Sequence, residues 1–238
     1  TSTTFVYDSN VGYAKSQDST DQGWMWKRHA GFDVVCWEGK NVQPGVIPHS
    51  LNKVPEMMWL RGRSSSDWEV YHKGLNGGSS PETYSIKLNE SDAEVNFSRW
   101  YSTVPTSTHF TVTKNSFNQS NEDYIAMLFA SVDGISKVGY YTGDGTNNGS
   151  HEITCGFTPR FLIIKCVTSG VNFSHWRVWD SLNGLDGSGN EDYLKLNSDA
   201  AKVEAYPYID TTATGFKFTT NFGPVNGSGN KMIYYAHA

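Results

Sequence analysis

The stretches SSSDWEVYH (64–72) and NFSHWRVWD (172–180) stand 108 residues apart and share Ser, Trp and Val at the same three of nine positions, with an aromatic residue following Val in both. In each one, Trp and Val alternate with other residues, which is the pattern of a β-strand with one face in a core. Trp68 and Val70 are expected on one face of the first strand, with Glu69 on the other. This similarity raises the question of whether the flanking sequence repeats as well.

The flanks do repeat, because similar residues recur in the same order at separations of 104 to 110 residues. The six matched pairs are Gly39 and Gly143, Pro55 and Pro159, Trp68 and Trp176, Leu88 and Leu196, Phe110 and Phe216, and Tyr124 and Tyr234. A period this long is typical of a duplicated domain and not of a short-period solenoid. The sequence therefore predicts one β-domain written twice.

The predicted boundaries are 31–131 for the first domain and 132–238 for the second. Residues 1–30 stand outside the repeat, and their polar composition up to Trp24 predicts an extended N-terminal arm. Such an arm would run along a neighbouring subunit and become ordered on assembly. The opening residues show neither a basic nor an apolar region of an export signal, so none is expected.

Composition favours an all-β fold, since aromatic residues reach 14% and charged residues only 18%. Each domain reads as short strands separated by Asn-Gly and Asp-Gly turns, which predicts two tandem homologous antiparallel β-sandwich domains of jelly-roll-like type. The predicted strands are VVCWEG, EMMWLR, DWEVYH, TYSIKL, HFTVTK and DYIAMLFA, then KVGYYTG, RFLIIKC, HWRVWDS, DYLKLN, FKFTTNF and KMIYYAHA. A short helix or an irregular segment is equally compatible with residues 197–206.

Charge and hydropathy exclude two classes of partner. The net charge is −5, and no basic run is longer than Lys27-Arg28, so nucleic-acid binding is not expected. No apolar run approaches 18 residues, so membrane insertion is not expected either. The three cysteines show no C-x-x-C spacing and are interpreted as buried thiols.

The residues most suited to binding a partner lie on and around the repeated strand. Trp68 and Trp176 could stack on sugar rings, but their place beside Val favours the core. Tyr71 and Trp179 point to the opposite face and are the better candidates for a contact surface. The full candidate set for ligand or partner contact is Tyr71, Trp179, Glu69, Arg177, Trp24 and Trp26.

Catalytic and metal motifs are weak. The loops at 144–149 and 186–190 place oxygen-bearing side chains with calcium-loop spacing, but neither completes the pattern, so turns explain them and no metal or cofactor is predicted. No nucleophile or zinc-protease motif is present, and no catalytic residue is assigned. The alternative is a glycosidase pair drawn from the carboxylates of Asp67, Glu69, Glu152 and Asp180.

Several segments together resemble a known viral domain. They are WMWKRHAGFDVVCWEG (24–39), HSLNKVPEMMWLRG (49–62), DWEVYH (67–72), YIAMLFAS (124–131), KVGYYTGDG (137–145), CGFTPRFLIIK (155–165) and HWRVWDS (175–181). They are similar to the duplicated β-domain near the C-termini of tailed-bacteriophage virion proteins, of the marine phage type, which are described as tail fibre or tail appendage proteins. The resemblance runs from about Trp24 to the end of the chain.

This resemblance implies a non-enzymatic structural protein on the surface of a virion, in the tail or as a capsid decoration. Its expected partners are other virion proteins, further copies of itself and a host surface glycan. The alternative is a tail module that binds or degrades polysaccharide, with Tyr71 or Trp179 stacking on sugar.

Overall fold

Fifteen strands carry the fold, in a computed structural model that describes residues 23–64, 67–172, 174–188, 191–204 and 206–238. In the first half the strands are β1 (Phe32–Glu38), β2 (Gly45–Pro48), β3 (Met57–Gly62), β4 (Glu69–His72), β5 (Ile86–Lys87), β6 (His109–Val112) and β7 (Asp123–Phe129). In the second half they are β8 (Ser136–Thr142), β9 (Glu152–Thr154), β10 (Phe161–Cys166), β11 (Arg177–Asp180), β12 (Leu194–Lys195), β13 (Ile209–Thr212), β14 (Gly215–Phe218) and β15 (Lys231–His237). The all-β prediction is confirmed.

Helical structure in the described residues is limited to single turns. These are α1 (Lys114–Phe117), α2 (Gly223–Asn226) and the 3₁₀ segments Leu75–Gly78 and Pro81–Thr83. None of them is long or apolar enough to cross a membrane. The described part of 197–206 forms no helix, because Val203 pairs with Tyr193 as an isolated β-bridge and holds this stretch extended.

The strands form two five-stranded antiparallel sheets and two smaller ones. The first large sheet has the order β1-β7-β3-β4-β5, and the second has the order β8-β15-β10-β11-β12. A two-stranded sheet, β2-β6, and a three-stranded sheet, β13-β14-β9, complete the set. The two large sheets thus have the same order, with the last strand of each half between its first and third strands.

Hydrogen bonds recur in the two halves at the same positions. Trp68 and Trp176 each donate a backbone N–H to an Asn side chain 21 residues ahead, at 2.9 Å in both cases. The Leu88 N–H donates to Trp68 O, as the Leu196 N–H does to Trp176 O, and the β-bridge Ser85–Val95 recurs as Tyr193–Val203. The Asn118 side chain binds the backbone of Lys40 and Val42, and the Asn226 side chain binds the backbone of Asp144 and Thr146. These contacts support the predicted repeat, whose boundaries at 31–131 and 132–238 stay a prediction.

The strand register corrects one of the matched pairs. Tyr124 lies opposite Gly62, and Met232 lies opposite Cys166, the residue that corresponds to Gly62. Tyr124 therefore corresponds to Met232, and its match with Tyr234 is two residues out of register. A shift of two residues keeps every side chain on the same face of a strand, so the matching of tyrosines in the sequence did not distinguish the two registers.

The sheets stack in four layers with three cores. The core between the two large sheets, here called the central core, takes apolar side chains from both halves, among them Trp59, Val70, Ile163 and Val178. The outer cores lie between each large sheet and its smaller partner. Both faces of each large sheet are therefore covered, and the halves share an apolar interface.

The halves are joined by a tight turn. The Val132 N–H donates to Ser136 O at 3.0 Å, and the Ile135 and Ser136 N–H groups both donate to Val132 O at 2.9 Å. Asp133 and Gly134, at the tip, are exposed. The first strand of the second half thus begins within a few residues of the last strand of the first.

Candidate binding groove at one end of the first sheet

The two aromatic residues expected on the surface are inside the molecule. Tyr71 is 3% exposed and packs in the outer core of the first half, and Trp179 is 0% exposed in the outer core of the second. This corrects the expectation of a contact surface at these positions. Alternation along a strand separates two faces, but it does not show that a second layer covers each of them. Trp68 and Trp176 lie in or against the central core, which confirms their predicted packing role.

Glu69 and Arg177 occupy the same position of the repeat and are also buried. The Glu69 carboxylate pairs with Arg99 at 2.8 Å, beside a cavity of about 390 Å³. The Arg177 guanidinium lies 5.2–5.9 Å from the ring centroids of Tyr193, Tyr208 and Phe222. Both charges are held by their own half, so the expectation that they contact a partner is corrected too.

Trp24 and Trp26 close one end of the central core. Trp26 makes edge contacts with Trp59 and Phe129 of the first sheet and with Phe161 of the second, at centroid distances of 5.5–6.4 Å. The Trp24 Nε1–H donates to Asp180 Oδ2 at 3.1 Å. Residues 23–30 therefore lie on their own chain and not on a neighbouring subunit, while residues 1–22 of the predicted arm lie outside the described residues.

The carboxylates considered as a glycosidase pair are each engaged elsewhere. Asp67 pairs with Lys87 at 2.8 Å, and Glu152 accepts a hydrogen bond from Thr212 at 2.6 Å. Asp180 accepts from the backbone of Leu182 and Asn183 as well as from Trp24. In the described ranges, no group of three or more His, Cys, Asp or Glu side chains could hold a metal ion.

One surface concavity of the described residues is an open groove of about 770 Å³. It lies at the ends of β1, β7 and β3, and Cys36, Arg61, Arg63, Asp123 and Ile125 are among its lining residues. We call it the open groove. Cys36 was expected to be buried, but it is exposed, whereas Cys155 and Cys166 are buried.

The open groove combines cationic and apolar surface. The Arg61 guanidinium lies 5.6 Å from the Trp68 ring centroid, which fixes it at the floor of the groove. Trp37, which also lines the groove, stacks on Tyr124 with ring centroids 5.4 Å apart. Arg63 and Asp123 form an exposed ion pair at 3.5 Å at its edge, which contributes little to stability.

The same position in the second half is covered by polypeptide. The residues that correspond to Cys36, Arg61 and Ile125 are Tyr140, Lys165 and Ile233, as the strand pairings show. We call this surface the covered end. Lys165 is 0% exposed and Ile233 is 1% exposed, because the first half lays the loops around 74–78 and 91–95 over them, whereas Tyr140 at the edge stays 48% exposed.

Lys165 shows what the covering polypeptide contributes. Its Nζ donates to the main-chain oxygens of Ser91, Asp92 and Cys166 at 3.2, 2.8 and 2.7 Å. Burial lowers the pKa of Lys165 to about 8. A cationic side chain at this position thus binds backbone carbonyl groups, and Arg61 has the donors to do the same.

His72 is a second buried group that connects the halves. The Gly74 N–H donates to His72 Nδ1 at 2.9 Å, so Nε2 carries the proton and donates to Tyr234 O at 3.2 Å. Both ring nitrogens are satisfied only when the ring is neutral, and burial lowers its pKa to about 3. Motif analysis did not select this histidine, because its corresponding residue is Asp180 and no ligand motif surrounds it.

Comparison with known proteins adds a family but no activity. No curated protein matches the chain, and no solved structure matches it either. One family model does match, and it covers residues 10–238, which is nearly the whole chain. The chain therefore belongs to the family described as "Domain of unknown function (DUF7483)".

Proposed function

We propose that the protein is a non-enzymatic structural protein of a tailed-bacteriophage particle, located at the surface of the tail or the capsid, where it binds neighbouring subunits. The location rests on the resemblance of the strand segments to virion proteins. The binding role rests on the open groove, whose counterpart in the second half is filled by polypeptide. Attachment to the host surface is a further role that this position on the particle would allow.

The groove is the observation that carries the binding role. It leaves Ile125 and Arg61 half-buried, whereas their counterparts Ile233 and Lys165 are fully buried beneath polypeptide. A surface that one half of a molecule closes with a loop is chemically suited to accept a similar loop from another protein. A sugar-binding role is less favoured, since the rings of Tyr71 and Trp179 are buried.

Particle composition tests the location. Purified phage particles from the source of the sequence would be analysed by mass spectrometry and labelled with an antibody against this chain for electron microscopy. We expect the chain in intact particles, with label on the outside of the tail or the head. Its absence from purified particles would contradict the proposal.

Incorporation tests the groove. Ile125→Asp places a charge in the groove without removing a core side chain, and Val46→Asp places the same charge at a site that is 54% exposed on β2. We expect the first variant to be lost from particles and the second to be retained at the wild-type level. Loss of incorporation by both variants, or by neither, would show that the groove is not the contact.

A further inference from the structure

The covered end provides a template for what the open groove binds. The covering loop contains Leu75-Asn76-Gly77, and Leu75 is 0% exposed in the central core. Gly74 and Gly78 lie so close to the Tyr140 side chain that a Cβ at either would stand 2.4 Å from it, at Tyr140 Cβ for Gly74 and at the hydroxyl oxygen for Gly78. The template is therefore a tight glycine turn that inserts one leucine and lays its backbone on an aromatic ring.

The second half carries the same short sequence in the corresponding loop, but there the leucine side chain is not buried. Leu182-Asn183-Gly184 repeats Leu75-Asn76-Gly77, and the Leu182 side chain is 71% exposed. Leu182 is the most exposed large apolar residue that the structure describes. Asp180 holds the backbone of this turn, so its leucine side chain is presented to solvent on one half while the open groove lies on the other.

A pair of oppositely charged residues lies beside each surface, and the acidic and basic members are exchanged between the two. At the covered end, burial raises the pKa of Glu94 of the first half, and the hydrogen bond from Asn76 N–H and the nearby charge of Lys231 of the second half act against this rise. The residues that correspond to them are Lys202 and Asp123, the latter at the edge of the open groove. Within one chain, Lys202 pairs with Asp192 at 2.6 Å and Asp123 pairs with Arg63 at 3.5 Å. A docked turn would bring Lys202 and Asp123 together as opposite charges in exchange for these pairs, in the same geometry as at the covered end.

We propose that the open groove binds the turn at residues 182–184 of a second copy of this chain. Leu182 packs on Cys36 and Ile125, Arg61 binds the main-chain carbonyl groups of the turn, and Lys202 pairs with Asp123. The contact joins two different surfaces and is heterologous, so each molecule keeps a free groove or a free turn and association continues head to tail. This inference rests on the proposed role in subunit binding and names the partner.

Disulfide trapping in the full chain tests the contact directly. Cys36 is the exposed cysteine of the three and already lies in the groove. We expect Leu182→Cys to give a ladder of disulfide-linked dimers and higher multimers under mild oxidation on a non-reducing gel. Wild type gives at most Cys36-linked dimers, and the ladder disappears when Cys36→Ser is added.

The control variant is Val46→Cys, at an exposed site on another layer, which should give no ladder beyond dimers. A fast-migrating monomer in Leu182→Cys would mean that the turn reaches its own groove, and that result would overturn the proposal. The same conclusion follows if the ladder of Leu182→Cys equals that of Val46→Cys.

Sedimentation over a concentration series provides a test without cysteines. We expect Leu182→Asp to weaken self-association roughly tenfold or more, as loss of a central apolar contact does, while Val46→Asp associates like wild type. Asp123→Lys and Lys202→Glu should each weaken association alone and restore it when mixed. A wild-type chain that stays monomeric overturns this inference, whereas the proposed function fails only if the chain is absent from particles.

Discussion

Two buried ionisable side chains at the interface of the halves make stability depend on pH. His72 is neutral in the folded protein because both of its ring nitrogens are bound to backbone groups. Lys165 is charged at neutral pH but surrounded by carbonyl groups in a buried position. In each case the folded state binds its proton more weakly than the unfolded chain does, so the free energy of unfolding rises with pH across the window between the two pKa values.

For His72 this window lies between pH 3 and 6.5, the ordinary pKa of a histidine. We expect the free energy of unfolding to fall by up to about 1.4 kcal/mol per pH unit as the pH drops below 6.5, in addition to the effect of other groups. His72→Gln removes this slope, and His29→Gln, at an exposed histidine, keeps it. Urea unfolding at several pH values measures the slopes, and parallel curves for wild type and His72→Gln would contradict the assignment.

For Lys165 the window lies between pH 8 and 10.5. Relative to Lys165→Met, wild type should gain on the order of 3 kcal/mol as the pH rises through this range and show no relative change below it. Lys53→Met, at an exposed lysine, serves as the matched control and should show no gain. Unfolding by urea at pH 7, 8, 9 and 10 makes the comparison, and equal curves for wild type and Lys165→Met would disprove the burial effect.

At the scale of elements, one side-chain amide holds a turn in each half. The Asn118 side chain accepts from Lys40 N–H at 3.0 Å and donates to Val42 O at 2.8 Å, which fixes the connection after β1. Asn226 makes the corresponding bonds after β8. Each amide is buried, so its loss leaves backbone groups without partners.

We expect Asn118→Ala to lower the free energy of unfolding by about 2–3 kcal/mol, because two hydrogen bonds are lost at a buried site. Asn115→Ala changes an exposed residue of the same helical turn and should cost less than about 0.5 kcal/mol. Urea denaturation of both variants provides the measurement. Similar values for both would show that the amide does not hold the turn.

The sequence predicted the strands that carry large apolar side chains but not the shortest ones. β2, β9 and β13 were missed because three or four residues are too few to show alternation, and most of the residues in β9 and β13 are polar. The burial of Tyr71 and Trp179 was missed because it depends on layers built from distant segments. The open groove could have been found only by comparing Cys36 and Arg61 with Tyr140 and Lys165 in three dimensions, since what differs is the covering loop.

At the scale of the whole molecule, the central core makes the two halves one folding unit. Trp59 and Val70 pack with Ile163 and Val178, so unfolding either half would expose the apolar face of the other. The backbone of Glu94 also donates to Val167 O at 3.2 Å across the halves. Although the sequence repeats, the two halves are therefore not expected to be stable independently of each other.

We expect one cooperative transition for the whole chain in calorimetry. Ile163→Ala, which removes a fully buried side chain of the second sheet, should lower stability by about 2–5 kcal/mol and shift the entire transition. Val46→Ala, at an exposed position of the first half, should leave it within about 0.5 kcal/mol. A transition that splits in two with Ile163→Ala would show that the halves unfold separately.

The connection between the halves is short and exposed at Asp133 and Gly134, while the surface it connects is wide and apolar. The peptide bond at the tip therefore contributes little to holding the sheets together. A protease that nicks the chain there would leave a complex of two fragments with the intact architecture. The same two fragments, expressed from separate genes, would complement each other in one cell and reassemble without a covalent link.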